Sequence, residues 1–318
     1  MSPSVPPPNM PDAESVPFEA APPSRSPIPR LKAVAAAVAV VVVAVVAVVA
    51  FGGSGGTVGD PVAQAATVSA TAPGYQIRLS MTMHSPAIPT PITASGSGTF
   101  DGRSRSGSVT IALNLGSDPQ VTRALGSSTL DLREILNGTT VYMKLPAAAM
   151  STLPLGGKQW FAVDLAKVKG MSGISSLLSN PVSSDPTQVL QYLRAESDSI
   201  VSEGQEQVDG VAATHYHVDL SLDRVAGALP AADRAAVQQA VSALERSTQL
   251  HHIPADVWID GHHLVRRITM NIAAPIASGH RVNEAMTIDF VRYGVEPATA
   301  PPPAGQVANL TGLVGAGG

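Results

Sequence analysis

The sequence predicts an α+β fold: one large, curved antiparallel β-sheet covered by two or three helices, with a single transmembrane helix at the N-terminus. Three observations lead there. About ten segments alternate apolar and polar residues with the period of a half-buried strand, and no βαβ rhythm separates them. Two stretches, from Asp185-Pro186 and from Pro230, open with proline at the first helical position and continue with apolar residues at helical spacing. Ala33 to Phe51 is an unbroken run of alanine and valine closed by one phenylalanine.

The apolar run comes first in the chain. At a helical rise of about 1.5 Å per residue it covers roughly 28 Å, close to the hydrocarbon thickness of a bilayer. Arg25, Arg30 and Lys32 precede it and no basic residue follows before Arg78. That asymmetry predicts a plasma-membrane protein with a cytoplasmic N-terminus and an extracytoplasmic main domain. A small-residue cleavage site, Ala63-Gln64-Ala65, lies far beyond the run, so an uncleaved anchor is expected. Five regions follow: a disordered Pro-rich cytoplasmic tail over 1–30, the transmembrane anchor over 31–51, a flexible Gly-rich linker over 52–69, the folded domain over 70–297 and a disordered Pro- and Gly-rich tail over 298–318.

Within the folded domain, Tyr75, Ile77, Leu79, Met81 and Met83 alternate with polar residues and read as a strand with one buried face. Ser95 to Asp101 reads as a second strand. Val109, Ile111, Leu113 and Leu115 mark a third. Thr129 to Leu145 forms a hairpin around Asn137-Gly138, a dipeptide that accepts the positive φ angles of a tight turn. Further strands are predicted at Trp160 to Leu165, from Ser199 onward, around Tyr216 and Val218, in the hairpin about Asp260-Gly261, and at Met286 to Tyr293. A sheet of that many strands must curl or split, and helices between strand runs are the natural cover for its apolar face.

Composition narrows the chemistry. Across 318 residues the net charge is -4 and cysteine is absent. Disulfides, thiolate metal sites, cysteine nucleophiles and lipobox acylation are therefore excluded. No basic stripe with interleaved aromatics points to nucleic acid. Gly52 to Gly56 lacks the Lys-Ser/Thr of a phosphate loop, and no cofactor is expected. His215-x-His217-x-Asp219 places three potential metal ligands on one strand face, but the same spacing is that of a solvated strand face, and no metal site is assigned. Serines fall in linkers and on polar strand faces, and carboxylates such as Asp256, Asp260 and Asp289 show no acid and base pairing. An enzyme is not expected.

Four stretches carry a resemblance: Asp185 to Arg194, Gly210 to Tyr216, Pro254 to Asp260 and Leu264 to Arg267, preceded by Gly157-Lys158-Gln159-Trp160. They resemble the LppX/LprAFG-type lipoproteins of actinobacterial cell envelopes, over about Ala70 to Pro297. The chain departs from that family in having no lipobox cysteine. The resemblance implies a LolA-like half-barrel whose concave face holds acyl chains of lipids or lipoglycans for transport or assembly. On it, Tyr75, Ile77, Leu79, Met81, Met83, Val109, Ile111, Leu113, Leu115, Tyr216 and Val218 are the candidates to line a lipid cavity, with the membrane and a lipid or lipoglycan as partners. The alternative is a structural or sensory ectodomain that acts through protein contacts, with no lipid ligand.

Overall fold

The structure is a computed structural model that describes residues 61–86, 90–101, 104, 106–116, 122, 127–144, 146–147, 156–164, 167, 200–221, 238, 242, 245, 251–275, 281–297 and 299–311. Among these, one helix, α1 (Pro61–Thr71), precedes a single twelve-stranded sheet. In chain order the strands are β1 (Tyr75–His84), β2 (Ile92–Asp101), β3 (Ser106–Asn114), β4 (Thr129–Asn137), β5 (Thr140–Lys144), β6 (Trp160–Asp164), β7 (Ile200–Val208), β8 (Val211–Ser221), β9 (His252–Asp260), β10 (Val265–Pro275), β11 (Arg281–Tyr293) and β12 (Val307–Asn309). Across the sheet they run β12-β6-β5-β4-β3-β2-β1-β11-β10-β9-β8-β7. Every pairing is antiparallel except the short one between β12 and β6.

This corrects the α+β expectation. Among the described residues the fold is a β-sheet with one α-helix described along its length, eleven residues long, and this α1 lies over β9 and β10. The expected helices from Asp185 and from Pro230 lie outside the described residues except for Gln238, Ser242 and Glu245, which are helical as expected. No described helix is long and apolar enough to cross a membrane, and Ala33 to Phe51 lies outside the described residues. The sheet is larger than expected because strand pairing runs on beyond the expected strand bounds. β2 starts at Ile92, β11 starts at Arg281, and three residues of the tail pair with β6 as β12.

Part of the stretch read as linker is α1. Pro61 suits the first turn, where its missing N–H is no loss. The helix stops before Pro73, and Gly74 follows at φ 100°, where a Cβ would strike the Val295 carbonyl oxygen. The Ala63–Ala65 segment, read as a cleavage motif, lies inside this helix. Ala65 is fully buried, and Ser69 Oγ accepts the Val265 N–H at 2.9 Å, which ties α1 to the start of β10.

The sheet is bent. A Cβ at Gly96 would lie 2.8 Å from the Thr110 carbonyl oxygen, and one at Gly98 would collide with the Ser108 carbonyl oxygen and Val109. Glycine at these two places lets β2 press against β3 where the sheet turns. At the far edge the β7–β8 hairpin curls over the face that carries Arg78. Asp209 at its tip accepts from Arg78 Nη2 at 2.7 Å, although β11, β10 and β9 lie between. On a flat sheet four inter-strand steps of about 4.8 Å would hold them roughly 19 Å apart.

Candidate functional site

Strand parity sorts the side chains onto two faces, and the pairing registers assemble the inner one into rows. At one end Leu136, Gly107, Phe100, Tyr75 and Tyr293 stand side by side. The rings of Tyr75, Phe100, Phe290 and Tyr293 pack with centroids 5.4–6.1 Å apart and form an aromatic floor. Tyr293 Oη donates to the Val265 carbonyl at 2.6 Å. Burial pushes both tyrosine hydroxyls to higher pKa, with the Asp101 charge adding to the effect at Tyr75.

Above the floor comes the row Met143, Glu134, Val109, Gly98, Ile77 and Phe290. Next are Leu132, Ile111, Gly96, Leu79, Ile288, Ile268, Val257 and Tyr216, then Leu130, Leu113, Ala94, Met81, Met286, Met270, Ala255 and Val218. The last full row holds Ile92, Met83, Glu284 and Ile272. Three methionines, Met81, Met286 and Met270, are thus neighbours on three successive strands.

All nine candidates on β1, on β3 and just beyond it are buried in one apolar cluster, together with Val218. Tyr216 is half-buried and packs against that cluster. Of the eleven candidates, Tyr216 alone borders the larger described hollow, about 290 Å³ between the start of α1 and the inner face of β7–β9. Pro61, Gln205, Ala212, Thr214, Ile259 and His263 share its lining. A second hollow of about 160 Å³ lies at the other end of β10 and β11, beside His84, Asn271 and Glu284.

Two carboxyl groups interrupt the apolar face, and the sequence reading missed both. Glu134 is 4% exposed, and among the described residues it makes no hydrogen bond or ion pair. Burial pushes its carboxyl up to about 8. Glu284 is raised by burial as well. The available signal was parity: Glu134 is in phase with Leu130, Leu132 and Leu136, not with Asp131 and Arg133.

The outer face carries the polar chemistry. Asp289 accepts from Arg267 Nε at 2.6 Å and from Arg78 at 3.1 and 3.2 Å. Trp258 stacks on His215 at 4.3 Å, donates to Glu206 at 2.9 Å and lies under the Arg267 guanidinium. His215 and His217 both bond to Asp256 Oδ1, at 3.0 and 2.9 Å, and Asp219 stands 3.5 Å from His252 Nδ1. Burial pulls the Asp256 carboxyl upward, but the hydrogen bonds from His217 and His215 outweigh it and hold the pKa below the usual range. These histidines thus belong to a hydrogen-bonded network, and among the described residues no cluster of histidine and carboxylate groups is arranged to hold a metal ion.

No family model matches the chain. An uncharacterized 31.2 kDa protein from the rplA-rplJ intergenic region of Streptomyces griseus is 30% identical over 170 residues, which is 51% of this chain and 52% of that protein. The chain thus spans about half the length of the curated relative it matches. Among solved structures, LprF from Mycobacterium bovis matches 77% of this chain and 96% of its own at 8% identity, with a TM-score of 0.34. The Mycobacterium tuberculosis lipoprotein LppX matches 74% of this chain and 94% of its own at 10% identity, with a TM-score of 0.36. At those scores the likeness assigns neither the fold nor a function.

Proposed function

We propose that this domain holds the acyl chains of an envelope lipid or lipoglycan against the inner face of its sheet, and carries or presents them without making or breaking a bond. The observation that supports this most is the breadth of the apolar face. It runs without a basic side chain from Met143 to Phe290 in one row and from Leu130 to Val218 in another. Burial of acyl CH₂ groups, about 0.8 kcal/mol each, would drive binding. The methionines suit chains of varied shape because thioethers are flexible and polarizable.

In this reading Tyr75, Ile77, Leu79, Met81, Met83, Val109, Ile111, Leu113, Leu115 and Val218 form the wall on which chains rest, and Tyr216 borders the hollow beside α1. That hollow is at the lower end of the size range of ligand pockets. Location outside the plasma membrane is part of the proposal, supported by the basic residues ahead of the uncharged Ala33–Phe51 run. Replacement Thr214→Trp, which fills the hollow, should weaken binding of a fluorescent fatty acid several-fold or more while leaving the thermal midpoint within a few degrees. Undiminished binding would count against the hollow as part of the site.

A second reading, an ectodomain that acts through protein contacts, is favoured by β7. Its residues from Val201 to Gln207 are exposed, Val201 to 54%, and among the described strands it has β8 as its neighbour on one side alone. An edge of that kind can accept another strand.

A further inference from the structure

We propose that Glu134, in its uncharged form, donates a hydrogen bond to a carbonyl oxygen of the ester or amide kind in a lipid lying against the inner face. This rests on the lipid-holding reading above and adds to it a polar anchor point. The pairing register fixes the placement: Glu134 stands opposite Val109 on β3 and Met143 on β5, with Leu132 and Leu136 flanking it on β4. It is 4% exposed and has no hydrogen-bond or ionic partner among the described residues. A buried carboxyl in that condition costs far more than a leucine in the same place. A ligand group that completes its hydrogen bonding would remove the cost.

The surroundings select the kind of group. The neighbouring strands β3 and β5 present Gly107, Val109, Ile111, Val141 and Met143 toward it, none of them titratable. In the adjoining rows the titratable side chains are tyrosines, Tyr75 and Tyr293 in the floor and Tyr216 far across the sheet, and Glu284 lies at the opposite end on β11. With no basic side chain in its row or the two beside it, the carboxyl has no counter-ion among the described residues, and burial keeps it protonated near neutral pH. A neutral carboxylic acid needs an acceptor for its O–H. Ester and amide carbonyls are acceptors without a donor of their own, and they sit where acyl chains join a lipid, so one can reach an apolar wall without bringing a charge.

The test uses the full chain in amphipol, with two probes of similar size: methyl dodecanoate, which carries an ester, and pentadecane, which does not. Competition against a pyrene-labelled alkyl chain gives their relative affinities, corrected for partition into empty amphipol. Wild-type protein should prefer the ester by about fivefold near pH 6. It should lose that preference near about pH 10, where the carboxyl is ionised. Glu134→Gln should keep the preference at both pH values through its amide N–H. Glu134→Leu should show none at either while binding pentadecane at least as well. A preference unchanged in Glu134→Leu, or persisting in the wild type at the higher pH, overturns the proposal and leaves the lipid-holding reading standing. Failure of the wild type to bind either probe overturns both.

Discussion

Glu134 on β4 stands directly opposite Val109 on β3, each almost wholly enclosed, so that a carboxyl group faces an apolar side chain within an apolar row. The consequence for stability follows from the direction of its pKa. In the unfolded chain the group ionises near 4.5, and in the folded protein burial holds it protonated to about 8. Between those values the folded state binds more protons, so stability falls as pH rises and levels off above about 8. The loss at neutral pH is on the order of 3 kcal/mol. Urea denaturation of wild type, Glu134→Gln and Glu134→Leu across this window should show a steep slope in the wild type and a shallower one, left by Glu284, in both variants. Parallel profiles would mean that Glu134 finds a partner in the folded chain.

At lower pH the sign reverses. Burial raises the Asp260 carboxyl, but the Leu264 N–H, the Arg266 guanidinium and the His262 N–H together hold it below its ordinary value, and Asp256 is held low by its two histidines. A depressed carboxylate stabilises the fold above its unfolded pKa, about 3.8, and that stability is lost as pH falls through the folded value. The profile should therefore peak in weak acid, near about pH 5, with both flanks falling. Replacement Asp260→Asn should make the acid flank shallower, with the Asp256 part remaining, and leave the neutral one as it is.

Asp289 holds two guanidinium groups from different strands and is itself 7% exposed. Removing it leaves Arg78 and Arg267 without their shared partner on the outer face. Asp289→Ala should cost about 2–4 kcal/mol in chemical denaturation. By contrast Asp209→Ala breaks a pair that is about half exposed on both sides and should cost less than about 1 kcal/mol. Equal losses would mean that the half-exposed Arg78–Asp209 pair contributes as much as the enclosed Asp289 pairs.

Bending of the sheet at β2 can be tested with one methyl group. At Gly98 a Cβ would meet both the Ser108 carbonyl and Val109, so neither neighbour can yield without moving β3. Gly98→Ala should destabilise by about 1–3 kcal/mol, as overpacking does elsewhere. Gly138→Ala meets no atom within 4 Å, but its φ of 61° makes it a control for backbone strain without crowding. Thermal unfolding of the two variants separates the effects.

Much of this sheet was legible because its strands have one buried face. Tyr75–His84 and the hairpin about Asn137-Gly138 follow directly from parity and turn chemistry, and every apolar residue singled out on β1, on β3 and at Leu115 is buried. The misses have physical causes. β12 is three residues long and parallel, too short for parity to show. The alanine-rich α1 has no marked apolar stripe, and its glycine-rich prelude pointed to a linker. Glu134 was passed over because Arg133 and Glu134 together look like a polar stretch, while only the second is in phase with the leucines. Parity also assigns a face without saying which strands stand beside it, so the methionine row across β1, β11 and β10 could not be read from the chain.

The central claim is that a lipid occupies the inner face. Native mass spectrometry of the full chain, purified from its own host in a detergent that is stripped in the gas phase, tests it most directly. The account predicts an added mass of an acylated lipid on the wild type, reduced in Thr214→Trp. A bare chain mass in both, with no uptake of added host lipid, would contradict it.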